Sequence, residues 1–154
     1  MTAEELWHHF IEKYPEHTGE IYQAWSYGVD PDELAALTLD GTKTATASGY
    51  ELYEIDNHPL PDEGGFNIIL DGEGQAVCIT QTKKVFVMPF KDITERQAYK
   101  EGEGDRKLAY WRKVHIDFFE EAYQEAGIPF SEESRVVCEE FERVFPEVDN
   151  DHTV

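Results

Sequence analysis

The stretch that decides the fold is FNIILDGEGQAVCITQTKKVFVMPF, residues 66–90. Two runs rich in β-branched and aromatic residues lie on either side of the turn sequence DGEG, and the second run is the longer one. Such runs around a glycine-containing turn are typical of a β-hairpin. The sequence therefore predicts a hairpin whose second strand continues to the end of the stretch.

Helical patterns lie on both sides of this hairpin. Apolar residues at helical spacing, N-cap residues and terminal glycines or prolines mark where each helix begins and ends. Asp30 is a predicted N-cap before Pro31, and Asp105 is predicted to cap the longest helix. Helices are predicted over residues 3–14, about 18–27, 31–41, 49–55, 92–99 and about 106–126.

Two further segments have the pattern of strands. The threonine-rich sequence GTKTATAS favours a strand that begins near Lys43, and RVVCEEFERVF, residues 135–145, is predicted to return to the sheet. Short strands with interleaved helices, and without a βαβ rhythm, indicate the α+β class. We therefore predict a small, mostly antiparallel β-barrel with flanking helices.

Composition excludes several classes of protein. The 154 residues include 33 Asp and Glu against 13 Lys and Arg, a formal net charge of −20, and 40% of the residues are hydrophobic. A chain this acidic repels nucleic-acid backbones and anionic membranes, so extended duplex DNA and membranes are not expected partners. The acidic N-terminus lacks the pattern of a secretory signal and no apolar run is long enough to span a bilayer, so a cytoplasmic location is expected.

The cysteines and histidines do not form a metal-binding pattern. Cys78 and Cys138 each lie among β-branched residues, which predicts buried, reduced thiols. His8 and His9 are adjacent rather than four residues apart, so they cannot share one face of a helix. No metal and no cofactor are predicted. His115 is expected to be a core histidine of the long helix.

Basic residues concentrate in residues 80–113, which hold 9 of the 13 lysines and arginines. This segment could form a cationic patch that attracts a phosphate or another anion, with Arg106 and Arg112 as candidate ligand-binding residues. Alternatively, its side chains neutralise the acidic body of the same molecule. The sequence leaves both interpretations open.

Three motifs together resemble the ASCH domain family. They are GTKTAT at residues 41–46, AYKEGEGD at residues 98–105 and the following YWRKVHIDFF. The nearest match is the longer subgroup with an N-terminal helical extension. The resemblance implies a β-barrel related to the RNA-binding PUA domain. We therefore expect a helical extension over residues 1–29, the ASCH domain over residues 30–145 and an acidic flexible tail over residues 146–154.

The resemblance also implies roles for three residues. Lys43 matches the motif lysine, Thr46 the threonine three positions on, and Glu101 the glutamate of the A-x-x-E stretch. In hydrolytic relatives these act as general base, nucleophile and proton donor. Relatives are variously linked to hydrolysis of acetylcytidine-type amides, to RNA cleavage and to RNA binding alone. Ser48, a further candidate ligand-binding residue, stands where hydrolytic relatives often carry an arginine, so the substrate group that the arginine would hold is unassigned.

Aromatic residues near these motifs are candidate stacking surfaces for a base. They are Trp25, Tyr27 and Trp111. We expect a cleft, in which Lys43 meets the basic segment, to bind RNA, a nucleotide or a modified nucleoside. The alternatives are a hydrolase that uses Lys43, Thr46 and Glu101, and a regulatory domain whose acidic face binds a basic protein. Since a −20 envelope and Glu101 favour the ammonium, Lys43 is expected to be charged.

Overall fold

Five strands form one curled mixed sheet, a half-barrel, in the order β1-β3-β4-β5-β2. The computed structural model describes residues 1–147. Strand β1 runs parallel to β3, and the remaining neighbours are antiparallel. The strands are β1 (Tyr22–Ser26), β2 (Ala45–Gly49), β3 (Phe66–Leu70), β4 (Ala76–Pro89) and β5 (Arg135–Phe145). The predicted α+β class with a mostly antiparallel, PUA-like barrel and flanking helices is confirmed, and the barrel is an open half-barrel.

Five α-helices flank the sheet, and their ends follow local sequence signals. Thr2 and Glu5 form a reciprocal capping box at the start of α1, and the Thr94 side chain caps α4. The helices are α1 (Ala3–Lys13), α2 (Pro31–Asp40), α3 (Tyr50–Ile55), α4 (Glu95–Glu101) and α5 (Leu108–Glu125). Among residues 1–147, no helix is long and apolar enough to cross a membrane.

The helix predicted over residues 18–27 is wrong, because this segment contains strand β1. Tyr22 to Ser26 pair in parallel with Phe66 to Leu70, so the backbone hydrogen bonds of this segment go to the neighbouring strand. Tyrosine and tryptophan fit a pleated surface well, and that contact outweighs a short helical pattern. The prediction failed because the strand that pairs with it lies far away in sequence.

Two predicted boundaries also need correction. Strand β2 begins at Ala45 rather than near Lys43, because residues 41–44 form a connection after α2. Helix α5 begins at Leu108 with Lys107 as its N-cap residue. Asp105 still contributes, since its side chain accepts the Lys107 backbone N–H at 2.9 Å. The acidic turn before α5 therefore extends further than predicted.

The two faces of the sheet pack against different helices. On one face, α1 covers Phe66 and Ile68, and α5 covers a second cluster through Trp111 and Phe119. On the other face, Leu34 of α2 packs with other residues, namely Ala35, Tyr27, Ile69 and Cys78. We call this second side the α2 face. Both cysteines are buried and free, as predicted.

The N-terminal segment lies against the sheet. Trp7 and Phe10 of α1 are buried against Phe66 of β3, with ring centroids 5.5 Å apart in both pairs. The helical part of the expected 1–29 extension is thus in direct contact with the sheet, although β1 itself falls inside the same range. Residues 148–154 of the expected tail lie outside the described residues.

Candidate functional site

A cleft of about 110 Å³ lies between the end of β1, the start of α2, the segment before β2, the end of α4 and helix α5. Polar and aromatic side chains share its wall with aliphatic ones. Those that matter below are Tyr27, Asp30, Glu33, Lys43, Thr46, Glu101, Glu103, Tyr110, His115 and Phe118. The three residues that the family motif singles out, Lys43, Thr46 and Glu101, therefore line one cleft.

The chain reaches Lys43 through a tight exit from α2. Gly41 has a φ of 88°, a left-handed conformation that glycine adopts without steric cost. The Lys43 backbone N–H then donates to the Leu37 carbonyl at 3.0 Å, and the Thr44 N–H donates to the Lys100 carbonyl at 2.7 Å. These bonds tie the segment to α2 and to α4. Because Lys43 precedes the strand, strand alternation does not separate it from Thr46.

The Lys43 ammonium is enclosed by acceptors. Its side chain is 1% exposed, and Nζ lies 3.3 Å from Glu101 Oε1, 3.4 Å from the Glu101 carbonyl and 3.0 Å from Glu103 Oε2. It also lies 5.2 Å from the centroid of the Tyr27 ring. An ammonium has three N–H donors, and three oxygens are within reach. This arrangement suits a charged lysine and leaves no lone pair for a base.

Glu101 is fully buried and held from several sides. Burial raises the pKa of its carboxyl, but the charge of Lys43 and hydrogen bonds from His115 and Gln97 outweigh this and lower it to about 2. Trp111 Nε1 donates to Glu101 Oε2 at 2.6 Å, and Gln97 Nε2 donates to the same oxygen at 3.0 Å. The resting carboxylate is therefore ionised.

His115 closes the cluster from α5. Its Nδ1 lies 2.8 Å from the Trp111 carbonyl, which can only accept, so Nδ1 carries a proton. Its Nε2 lies 3.5 Å from Glu101 Oε1, and the imidazole stacks on Trp111 with centroids 3.9 Å apart. The expected core histidine is indeed buried, yet it also contacts the cleft. Its ring therefore lies between Trp111 and the Glu101 carboxylate.

The Thr46 hydroxyl has no hydrogen-bond partner among residues 1–147, whereas its backbone carbonyl accepts from Gln97 Nε2 at 3.2 Å. No hydrogen bond links Thr46 to Lys43 within the described chain. Ser48, two residues further along β2, bonds to the Tyr53 hydroxyl at 2.9 Å and does not line the cleft. Thr46 is thus exposed to the cleft without an activating partner.

Besides Ser48, four predicted ligand-binding residues lie outside the wall of the cleft. The Trp25 indole N–H donates to Asn67, and the Trp111 indole N–H donates to Glu101 without lining the cleft. Arg106 covers the Tyr99 ring at 3.7 Å, and Arg112 pairs with Glu132 at 2.6 Å. Of the predicted aromatic residues, only Tyr27 lines the cleft.

Lys43 meets segment 80–113 in the cleft, but it does so through the acids Glu101 and Glu103, and the expected cationic patch is not there. None of the basic residues of segment 80–113 lines the cleft, where four carboxylates face one ammonium. Several of these bases instead pair with acids on or near β5, which supports neutralisation within the molecule. The pairs are Lys83–Glu142, Lys91–Glu133, Arg96–Glu140, Lys100–Glu140 and Arg112–Glu132.

Three side chains of the cleft could supply metal ligands. One atom from each of Glu101, Glu103 and His115 lies within 4.8 Å of the others. The ammonium of Lys43 already contacts both carboxylates, and a divalent ion there would face its positive charge. The cluster is therefore better described as an internal ion pair than as a metal centre.

Sequence reasoning missed part of this cluster. Glu103 is not among the predicted site residues, although its position two residues after Glu101 carries it around Gly102 to the same ammonium. Gly102 has a φ of 73°, and a Cβ there would lie 2.5 Å from the Thr42 carbonyl oxygen. The G-x-G spacing after Glu101 was the available signal for this close approach.

The sequence model of the ASCH domain matches residues 23–145. No curated protein matches the chain significantly. An ASCH domain from Lactobacillus crispatus is 26% identical with a TM-score of 0.84, covering 91% of this chain and 92% of that one. A protein from Enterococcus faecalis is 32% identical with a TM-score of 0.82, covering 92% of this chain and 86% of that one.

A more distant structure shares the fold alone. A mutant ASCH protein from Zymomonas mobilis is 14% identical with a TM-score of 0.51, covering 81% of this chain and 72% of the other. The half-barrel is thus common to proteins of quite different sequence.

Proposed function

The chain belongs to the ASCH domain family, and from this membership we propose that the cleft binds a nucleobase, presented either by RNA or by a modified nucleoside. The observation that carries the proposal is the buried Lys43 ammonium, held by Glu101 and Glu103 beneath the Tyr27 ring. Aromatic faces beside fixed polar groups are the means by which proteins bind unstacked bases.

The negative charge of the cleft determines whether the base or the phosphate of a ligand enters it. Asp30, Glu33, Glu101 and Glu103 outnumber Lys43 there. A phosphate would be repelled by this surplus, whereas a neutral base with N–H donors would not. We infer that the base enters and that any phosphate stays outside. The ligand is accordingly a nucleoside or an unpaired base rather than a free nucleotide.

The alternative is a hydrolase of the same fold, because Lys43, Thr46 and Glu101 share one cleft. A threonine nucleophile needs a base, and the Lys43 donors are directed at carboxylates and a carbonyl. A proton donor must carry a proton at neutral pH. Burial raises the pKa of Glu101, but the charge of Lys43 and the hydrogen bonds to the carboxylate outweigh this effect and lower the pKa to about 2. Both observations favour binding over hydrolysis.

Titration of the ¹⁵N-labelled protein with cytidine, uridine, adenosine and inosine tests binding. We expect resonances of Tyr27 and His115 to shift with at least one of these nucleosides. Lys43→Met should weaken that binding at least tenfold, and Lys113→Met, at an exposed site on α5, should leave it unchanged. Equal binding by the Lys43→Met protein, with its fold checked by circular dichroism, would contradict the proposal.

The same samples separate binding from hydrolysis. Incubation with N4-acetylcytidine, followed by chromatography, should give no more cytidine than a buffer blank. Turnover that disappears in Thr46→Val would instead establish the hydrolase.

A further inference from the structure

A chain of hydrogen bonds crosses the α2 face of the sheet and ends at a buried carboxyl group. Trp25 Nε1 donates to Asn67 Oδ1 at 3.0 Å, and Asn67 Nδ2 donates to Thr82 Oγ1 at 3.1 Å. The Thr82 hydroxyl, which accepts that bond, donates in turn to Glu139 Oε2 at 2.5 Å. Every donor in the chain points towards Glu139.

Glu139 lies beside the cleft. It is 7% exposed and pairs across the β5–β2 ladder with Thr46, which lines the cleft. Directly opposed residues of an antiparallel pair point to the same face with Cβ atoms about 4.5–5.5 Å apart. After burial, the main cause, the charge of Glu139 also contributes to the raised pKa of Tyr27, another residue of the cleft wall. Glu139 is therefore close to two of its residues.

One oxygen of Glu139 has a fixed partner and the other does not. Oε2 accepts from Thr82, whereas Oε1 has no hydrogen-bond partner among residues 1–147. Oε1 is not among the fully buried polar atoms that lack a partner, so it keeps contact with solvent and is open to a ligand. Nothing in the ion-pair cluster around Lys43 makes use of it.

We propose that Glu139 is a specificity-determining residue, whose free oxygen accepts an N–H from the exocyclic amino group of the base in the cleft. This inference rests on the proposed function and adds the chemistry that selects the ligand. An amino group projects from the ring and can reach a recessed acceptor. A carbonyl at the same ring position would place two oxygens face to face, which an ionised carboxylate disfavours.

Two pairs of nucleosides of equal ring size test this preference at pH 8. Cytidine and adenosine carry an amino group where uridine and inosine carry a carbonyl. Isothermal titration should show the amino member of at least one pair binding about tenfold more tightly, the size of effect expected for a hydrogen bond to a charged group. Glu139→Gln should reduce this ratio to less than about threefold, because an amide can offer either a donor or an acceptor.

The adjacent residue provides a matched control. Glu140 points to the opposite face of β5, where it pairs with Arg96 and Lys100. Glu140→Gln should therefore leave the ratio unchanged. Thr82→Val removes the hydroxyl that positions Glu139 and should lower the ratio, and Thr82→Ser should restore it.

The outcomes distinguish this inference from the proposed function. If Lys43→Met abolishes binding but Glu139→Gln leaves the ratio unchanged, the cleft binds nucleosides and the role of Glu139 is refuted. A wild-type protein that binds without preference in either pair refutes that role as well. If none of the four nucleosides binds, both proposals fall. A ratio lost only in the Glu139 and Thr82→Val variants supports the inference.

Discussion

At the scale of single residues, the Lys43–Glu101 pair is the feature on which the cleft depends. Both side chains are almost fully buried, and the pair spans 58 positions of sequence. The family motif predicted that these residues meet. It could not predict the Asn67–Thr82–Glu139 chain, because each bond joins a different pair of strands and depends on their register.

The pH dependence of stability should report the Glu101 charge. Burial raises the pKa of Glu101, but the charge of Lys43 and the hydrogen bonds to the carboxylate outweigh this effect. The resulting pKa is about 2, against an ordinary value of 4.5. A carboxyl group whose pKa is lowered by folding stabilises the folded protein at any pH above its ordinary pKa. That stabilisation is lost as the pH falls from about 4.5 towards 2. Glu101→Gln should cost about 3 kcal/mol at pH 7.

Urea unfolding from pH 7 down to pH 2 measures this effect. The difference in unfolding free energy between wild type and Glu101→Gln should narrow as the pH falls below 4.5. Glu121→Gln, at an exposed site on α5, is the control variant, which loses an acid that is not buried. A difference that stays constant over the whole range would show that the Glu101 charge does not contribute.

At the scale of elements, helices with their own end signals were predictable and strand β1 was not. Helix α2 lies between Pro31 and a left-handed Gly41, so its limits are local. Strand β1 exists because β3 lies beside it. The turn between α4 and α5 was partly predictable. Its glycines can be recognised in the sequence, but the backbone segment that they approach cannot.

Gly102 in that turn is expected to be irreplaceable. Its φ is 73°, and an added Cβ would lie 2.5 Å from the Thr42 carbonyl oxygen. Gly127 has a φ of 76° with open space around it. Gly127→Ala should cost about 1–2 kcal/mol for the left-handed backbone alone, and Gly102→Ala should cost more. Thermal unfolding of both variants measures the difference, and equal losses would mean that the contact with Thr42 is unimportant.

Over the molecule as a whole, the net charge of −20 opposes folding. Like charges repel more strongly in the compact state, and salt screens them over about 10 Å at 0.1 M. The composition alone predicted this acidic surface. It did not predict that acids on or near β5 would neutralise much of the basic segment.

Removing charge from the outer side of α5 should therefore stabilise the protein. Glu120 and Glu121 are both exposed. We expect the double substitution E120Q/E121Q to raise the Tm by a few degrees in 20 mM NaCl, and the gain to vanish in 500 mM NaCl. A gain that persists in high salt would point to local helix propensity instead of repulsion.

The irregular pairing of β4 with β5 limits how this domain can vary in length. Thr82 pairs with Phe141 and Lys84 with Glu140, so Lys83 is the extra residue of a β-bulge. Because side chains alternate, losing that one residue would turn Phe86 and Met88 away from the core they now join. Many side chains could replace Lys83, but the chain cannot be shortened there. We therefore expect gains and losses of residues to be tolerated in loops such as residues 56–65 rather than at this position of β4.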